Sequence, residues 1–110
     1  MVSKGRDDAL TRIDGLRQQI DALDEALVDL LNRRAACALA IGEVKEAIGL
    51  ELYQPDRERQ VLEHVRSVNG GPLDGEAIAR LFERIIDEAR RLERLAQAAG
   101  RGMHRTAGEE

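Results

Sequence analysis

Six charged residues in this sequence have types and spacings that suit anion chemistry. Arg17, Arg34 and Lys45 lie along the N-terminal half, Arg57 and Glu58 are adjacent, and Glu93 follows Ala89 by one helical turn. Gathered in one pocket, they supply up to four cations and two carboxylates. That set suits a small polyanion that also carries a hydroxyl, because arginine meets a carboxylate with two parallel hydrogen bonds. Taken singly, each is also an ordinary solvated residue on a helix, where a charge pair contributes only a few tenths of a kcal/mol. The functional reading therefore depends on the elements that would bring them together.

The first such element is a stretch from Leu10 to Ile48 that reads as one amphipathic helix. Leu10, Ile13, Leu16, Ile20, Leu23, Leu27, Leu30, Leu31, Leu39, Ile41, Val44 and Ile48 recur at steps of three and four, and no proline interrupts them. Such a helix spans on the order of 60 Å at ~1.5 Å per residue. A compact domain of this length has a radius of gyration of only about 13 Å. One protomer cannot cover that rod, so an oligomer is expected, with the helix buried partly by another chain. Arg34 and Lys45 are separated by nearly three whole turns and roughly 16 Å of rise, so they share a face and can lean toward one ligand. Arg17 is rotated by about 100° from Arg34 and lies roughly 25 Å away along the axis. If it serves the same ligand, it comes from an antiparallel partner helix.

The remaining elements follow from breaks in the pattern. Residues 1–6 read as a flexible lead-in, and Asp7 and Asp8 suit the start of the first helix. Gly49 is its stop. Pro55 opens a second helix, with Gln54 near its N-cap and Val61, Leu62, Val65 and Val68 on its apolar side. Asn69-Gly70-Gly71-Pro72 is a break, and Asp74 caps a third helix carrying Ile78, Leu81, Phe82, Ile85, Ile86, Ala89, Leu92 and Leu95. Residues 100–110 lose the pattern and read as a flexible tail. The class is all-α, with a long, a short and a medium helix in one domain over residues 7–99.

Composition excludes several functions. A formal charge of −4, with bases and acids interleaved, argues against nucleic acid. The single cysteine, Cys37, builds neither an internal disulfide nor a zinc site and reads as a small buried apolar residue. Tyr53 and Phe82 are the only aromatics, so stacking on bases or sugars is not expected, and Tyr53 reads as a loop anchor. His64 and His104 have no ligand-like partners. No metal or cofactor is called for. No membrane-spanning run or signal peptide is visible, and a cytoplasmic location is expected.

The order Leu16-Arg17-x-x-Ile20-Asp21-x-Leu23-Asp24, Leu30-Leu31-x-Arg33-Arg34, Ile41-Gly42-x-x-Lys45 and Tyr53-Gln54-Pro55-x-Arg57-Glu58 resembles the all-helical class of chorismate mutases. Asn69-Gly70-Gly71-Pro72 followed by Ile78-x-x-Leu81-Phe82-x-x-Ile85-Ile86 is similar to that family's final helix. The resemblance covers roughly Leu10 to Leu95 and implies an intertwined homodimer of three-helix protomers. It implies rearrangement of chorismate to prephenate, a step toward phenylalanine and tyrosine, without a cofactor or covalent intermediate. Arg34 would bind one substrate carboxylate, and Arg17 the other, in the partner's site. Lys45 would donate to the ether oxygen, Arg57 would add positive field, and Glu58 would accept from the ring hydroxyl.

This chain departs from the family pattern at three places. Gln54 stands where many members have an aspartate near the substrate hydroxyl. Glu93 stands where many have a glutamine that donates to the ether oxygen, and it must be protonated to do so. Ala89 stands where a small hydroxyl residue can bind a carboxylate. Pyruvate-releasing lyases of isochorismate and mutases of 4-amino-4-deoxychorismate share the fold and stay open as alternatives, as does an inactive helical dimerisation module. A larger shikimate-pathway enzyme as partner is neither signalled nor opposed. With no regulatory domain beyond the three helices, feedback control within this chain is not expected.

Overall fold

The protein was analysed as a computed structural model, which describes the backbone of residues 2–109 and the side chains of residues 3–100. Three helices follow in order: α1 (Val2–Ala47), α2 (Pro55–Val68) and α3 (Gly75–Glu109). The described residues contain no strand. By packing, the chain divides into Met1–Arg33 and Arg34–Glu110.

The Met1–Arg33 unit is the N-terminal part of α1. The helix begins ahead of the expected start, so Asp7 and Asp8 lie inside it rather than capping it, and its first turn has no acidic residue. Nothing between Val2 and Asp7 breaks a helix strongly, and propagation adds one hydrogen bond per residue once the helix exists. Met1 lies outside the described residues. The apolar stripe of this unit is open to water, from Ile13 at 40% exposure to Leu23 at 62%.

The Arg34–Glu110 unit holds the end of α1, all of α2 and all of α3. The end of α1 is set by Gly49, whose φ of +76° is a conformation few side-chain-bearing residues adopt. The Gly49 N–H donates to the Glu46 carbonyl (3.2 Å) and the Leu50 N–H to the Lys45 carbonyl (2.8 Å). These two bonds are those of a Schellman motif and satisfy carbonyls that the helix end leaves open. The same turn aims the chain toward α2, which Pro55 opens at its first turn. Gln54 occupies the N-cap position but makes no side-chain cap, so its amide remains free for other contacts.

Helices α2 and α3 form an antiparallel hairpin. Arg66 near the end of α2 pairs with Glu76 at the start of α3 (3.2 Å), and Glu58 at the start of α2 pairs with Arg90 far along α3. Between them Val65 and Ala79 are buried. The connection is held by Asn69, whose side-chain amide donates to the Leu73 carbonyl (2.7 Å) and whose Oδ1 accepts from the Gly71 N–H (3.2 Å). Asp74 caps α3 by accepting from the Ala77 N–H at 2.7 Å. The α3 backbone continues past Gly100 to Glu109, through the stretch read from sequence as a tail. The side chains of 101–110, His104 among them, lie outside those described.

The Asp74 cap satisfies a donor that the helix cannot pair internally. Asp74→Ala should lower stability by about 1 kcal/mol, within the ~0.5–2 kcal/mol range of such caps. Thermal unfolding at fixed protein concentration checks this, and an unchanged midpoint would mean that the cap contributes nothing.

Candidate functional site

One cavity of about 400 Å³ lies within the Arg34–Glu110 unit. From α1 come Arg34, Cys37, Ala38, Ile41 and Lys45, and from the connection Leu52 and Gln54. From α2 come Arg57, Glu58 and Val61, and from α3 Ile86, Ala89, Arg90 and Glu93. The spacing of Arg34 and Lys45 puts both on this wall, as their near-integral number of turns requires. Pro55 places Gln54, Arg57 and Glu58 together because the first turn of a helix winds once between them. The residues expected from sequence within this unit, Arg34, Lys45, Gln54, Arg57, Glu58, Ala89 and Glu93, are thus brought together. Arg17 belongs to the Met1–Arg33 unit and is not among the lining residues.

Glu93 is seated against α1 at Gly42, which is buried. A Cβ added there would stand 3.3 Å from Glu93 Oε2 and 3.4 Å from its Cγ. Glycine at this position therefore lets the carboxyl-bearing side chain lie directly on the helix. Burial raises the Glu93 pKa above the ordinary carboxylate range, while Lys45 and Arg90 pull it down and only partly offset the burial.

Arg90 was not anticipated from sequence. Its guanidinium pairs with Glu58, lies 5.1 Å from the centre of the Tyr53 ring, and reaches Asp87 at 3.8 Å. The available signal was its position four residues after Ile86, on the apolar face of α3, where an arginine is out of place. Tyr53, read as a hydrophobic anchor, is exposed and acts as a platform for that guanidinium. Cys37 also differs from expectation: it is exposed and forms part of the cavity wall. Its place on the Arg34–Lys45 side of α1 accounts for this.

The lining combines four cations (Arg34, Lys45, Arg57, Arg90) and two carboxylates with an apolar wall from Ile41, Leu52, Val61 and Ile86. Such a cavity suits a small anionic molecule with an apolar body. Residues 16–94 match the family model for chorismate mutase type II. This chain belongs to that family. Bifunctional chorismate mutase/prephenate dehydratases from Stutzerimonas stutzeri and Pseudomonas aeruginosa are each 39% identical over 100 residues, covering 86% of this chain. The chain spans 27% of the length of each of those relatives. Among solved structures, chorismate mutase from Thermus thermophilus is 32% identical with a TM-score of 0.74, covering 76% of this chain and 94% of that one. Chorismate mutase from Helicobacter pylori, solved in complex with prephenate, is 30% identical with a TM-score of 0.74 and covers 80% and 96%.

The raised pKa of Glu93 has a definite consequence for stability in this member of the chorismate mutase type II family. As pH rises above the ordinary carboxylate value, the unfolded chain releases this proton before the folded one does. Stability therefore falls through the window up to the folded pKa and is level above it. Below the ordinary value the cost is absent. Glu93→Gln removes this contribution, so the variant should gain on the wild type as pH rises through that window. Urea midpoints of both proteins across acid to neutral pH measure it; a difference constant with pH would contradict it.

Proposed function

We propose that this chain catalyses the rearrangement of chorismate to prephenate, working as an intertwined homodimer. The observation that carries the reading is the gathering of Arg34, Lys45, Arg57 and Glu58 around one cavity, on the helices of a chorismate mutase family member. The chemistry needs nothing more reactive than these groups. One C–O bond breaks as one C–C bond forms within a single molecule, so no nucleophile takes part. The protein has two tasks: to hold a flexible dianion in its compact reactive conformer, and to stabilise charge growing on the ether oxygen.

Arg34 binds one carboxylate. Lys45 donates to the ether oxygen and binds more tightly as negative charge develops there, which is the requirement for catalysis. Arg57 adds positive field. Glu58 and Gln54 accept from the ring hydroxyl, and Ala89 closes the wall without adding a donor. Glu93, protonated, is the second donor to the ether oxygen; its burial against Gly42 favours that neutral form. Ionised, it would repel the developing charge.

Arg17 reaches the second carboxylate from the other protomer. Support for the dimer comes from the exposed stripe Leu10, Ile13, Leu16, Ile20, Leu23 and Leu27. Each such side chain contributes roughly 1.5–3 kcal/mol when fully buried, and a paired first helix supplies that burial. No helix among the described residues is long and apolar enough to cross a membrane. The cytoplasmic location expected from sequence is kept as part of this proposal.

The test is loss of chorismate absorbance from purified protein across about pH 5 to 8, with products identified by chromatography. Prephenate should form, faster toward acid, and Glu93→Gln should flatten that dependence. Lys45→Ala should lose on the order of a hundredfold in rate, as when an oxyanion donor is removed. Salicylate and pyruvate from isochorismate, with no prephenate from chorismate, would move the chain to the lyase reading. A folded dimer inert to both, and to the 4-amino analogue, would leave the structural module.

A further inference from the structure

We propose that Arg90 is a specificity-determining residue of this site: by holding the Glu58 carboxylate, it makes the pocket accept a neutral hydroxyl beside Glu58 and reject an ammonium group there. The inference rests on the mutase reading, in which Glu58 receives the ring hydroxyl, and it adds the selectivity of that contact. It begins with a pair that has left bulk water. The Arg90 and Glu58 side chains are 22% and 29% exposed, so solvent and salt screen their contact less than a surface pair. The guanidinium is also fixed from other sides, by the Tyr53 ring at 5.1 Å and by Asp87 at 3.8 Å. It is therefore a standing part of the cavity wall rather than a mobile surface charge.

An ionised carboxylate has about four lone-pair sites, and one guanidinium does not fill them. A hydroxyl can still donate to Glu58 while Arg90 holds it. An ammonium gains much less, because the charge it would pair with is already compensated, and it arrives next to a fixed cation. A primary aliphatic amine is protonated near neutrality, so an analogue with an amino group in place of the hydroxyl brings that ammonium. No other group in the cavity offers it a free anion. Gln54 is uncharged, Glu93 is set against Gly42 where burial disfavours its charged form, and Arg34 and Arg57 are cations. Like charges brought together in a partly desolvated contact repel strongly enough to decide between two substrates that differ in one group.

Arg90 acts here through Glu58 and so is a positioning residue, and the readout is a ratio rather than a rate. The ratio of kcat/KM for chorismate to kcat/KM for its 4-amino analogue is measured at neutral pH for the wild type, Arg90→Met and Arg90→Lys, with circular dichroism and gel filtration as controls of folding. The wild type should favour the hydroxyl substrate. Arg90→Met should lower the ratio by about tenfold or more, and Arg90→Lys, which keeps the charge, should stay near the wild type. Arg90→Gln, neutral but still able to donate to Glu58, is the second neutral variant should the methionine protein not fold. A folded neutral variant that keeps the wild-type ratio overturns the inference, as does a wild type that prefers the amino analogue. A wild type that turns over neither compound overturns the mutase reading, and this inference with it.

Discussion

Four cations around one small cavity repel one another, and the site depends on how that repulsion is held. Glu58 and Glu93 are the two carboxylates within the ring, and only Glu58 is paired with one of the cations. Glu58 is locked to Arg90 across the α2–α3 hairpin, so the pair both fixes the hairpin's register and settles one cation. Glu93 lies against α1 at Gly42, where burial favours its neutral form against the opposing pull of Lys45 and Arg90. The remaining positive field at Arg34, Arg57 and Lys45 is left for the ligand. An anionic ligand would neutralise this field, which the lining residues already present together.

The scaffold follows from a few local devices. Gly49 in the left-handed conformation and Pro55 at the start of α2 turn the chain between the Arg34–Lys45 face and the Arg57–Glu58 turn. Asn69 and Asp74 then fold α3 back so that Glu93 returns to α1. None of these turns contributes a charge to the cavity, yet each sets which charges meet.

Most of this was legible in the sequence because helices write their geometry into spacing. The interval from Arg34 to Lys45, the Gln54-Pro55 step and the Asp74 cap are local signals, and the structure bears them out. Arg90 was only partly legible: its position four residues after Ile86 marks it as out of place on an apolar face, but its role comes from partners on other elements, Glu58 and Tyr53. Cys37 was misjudged for a related reason: alanine neighbours suggested burial, whereas the wall it occupies borders an open cavity. The start of α1 was placed too late because acidic residues favour helix starts without requiring them.

In the Met1–Arg33 unit the leucines and isoleucines are open to water and Arg17 is not part of the cavity lining, which is what the proposed dimer would answer. The central claim is that a working site takes Arg34 from one protomer and Arg17 from the other. It is tested most directly by co-expressing Arg17→Ala and Arg34→Ala chains and assaying the mixed dimers on chorismate. Each variant alone has every site damaged, whereas a mixed dimer places both lesions in one site and leaves the other intact. Random pairing of equal amounts then predicts recovery to about a quarter of wild-type activity. A mixture no more active than either variant alone, with mixed dimers demonstrably formed, would contradict the shared site.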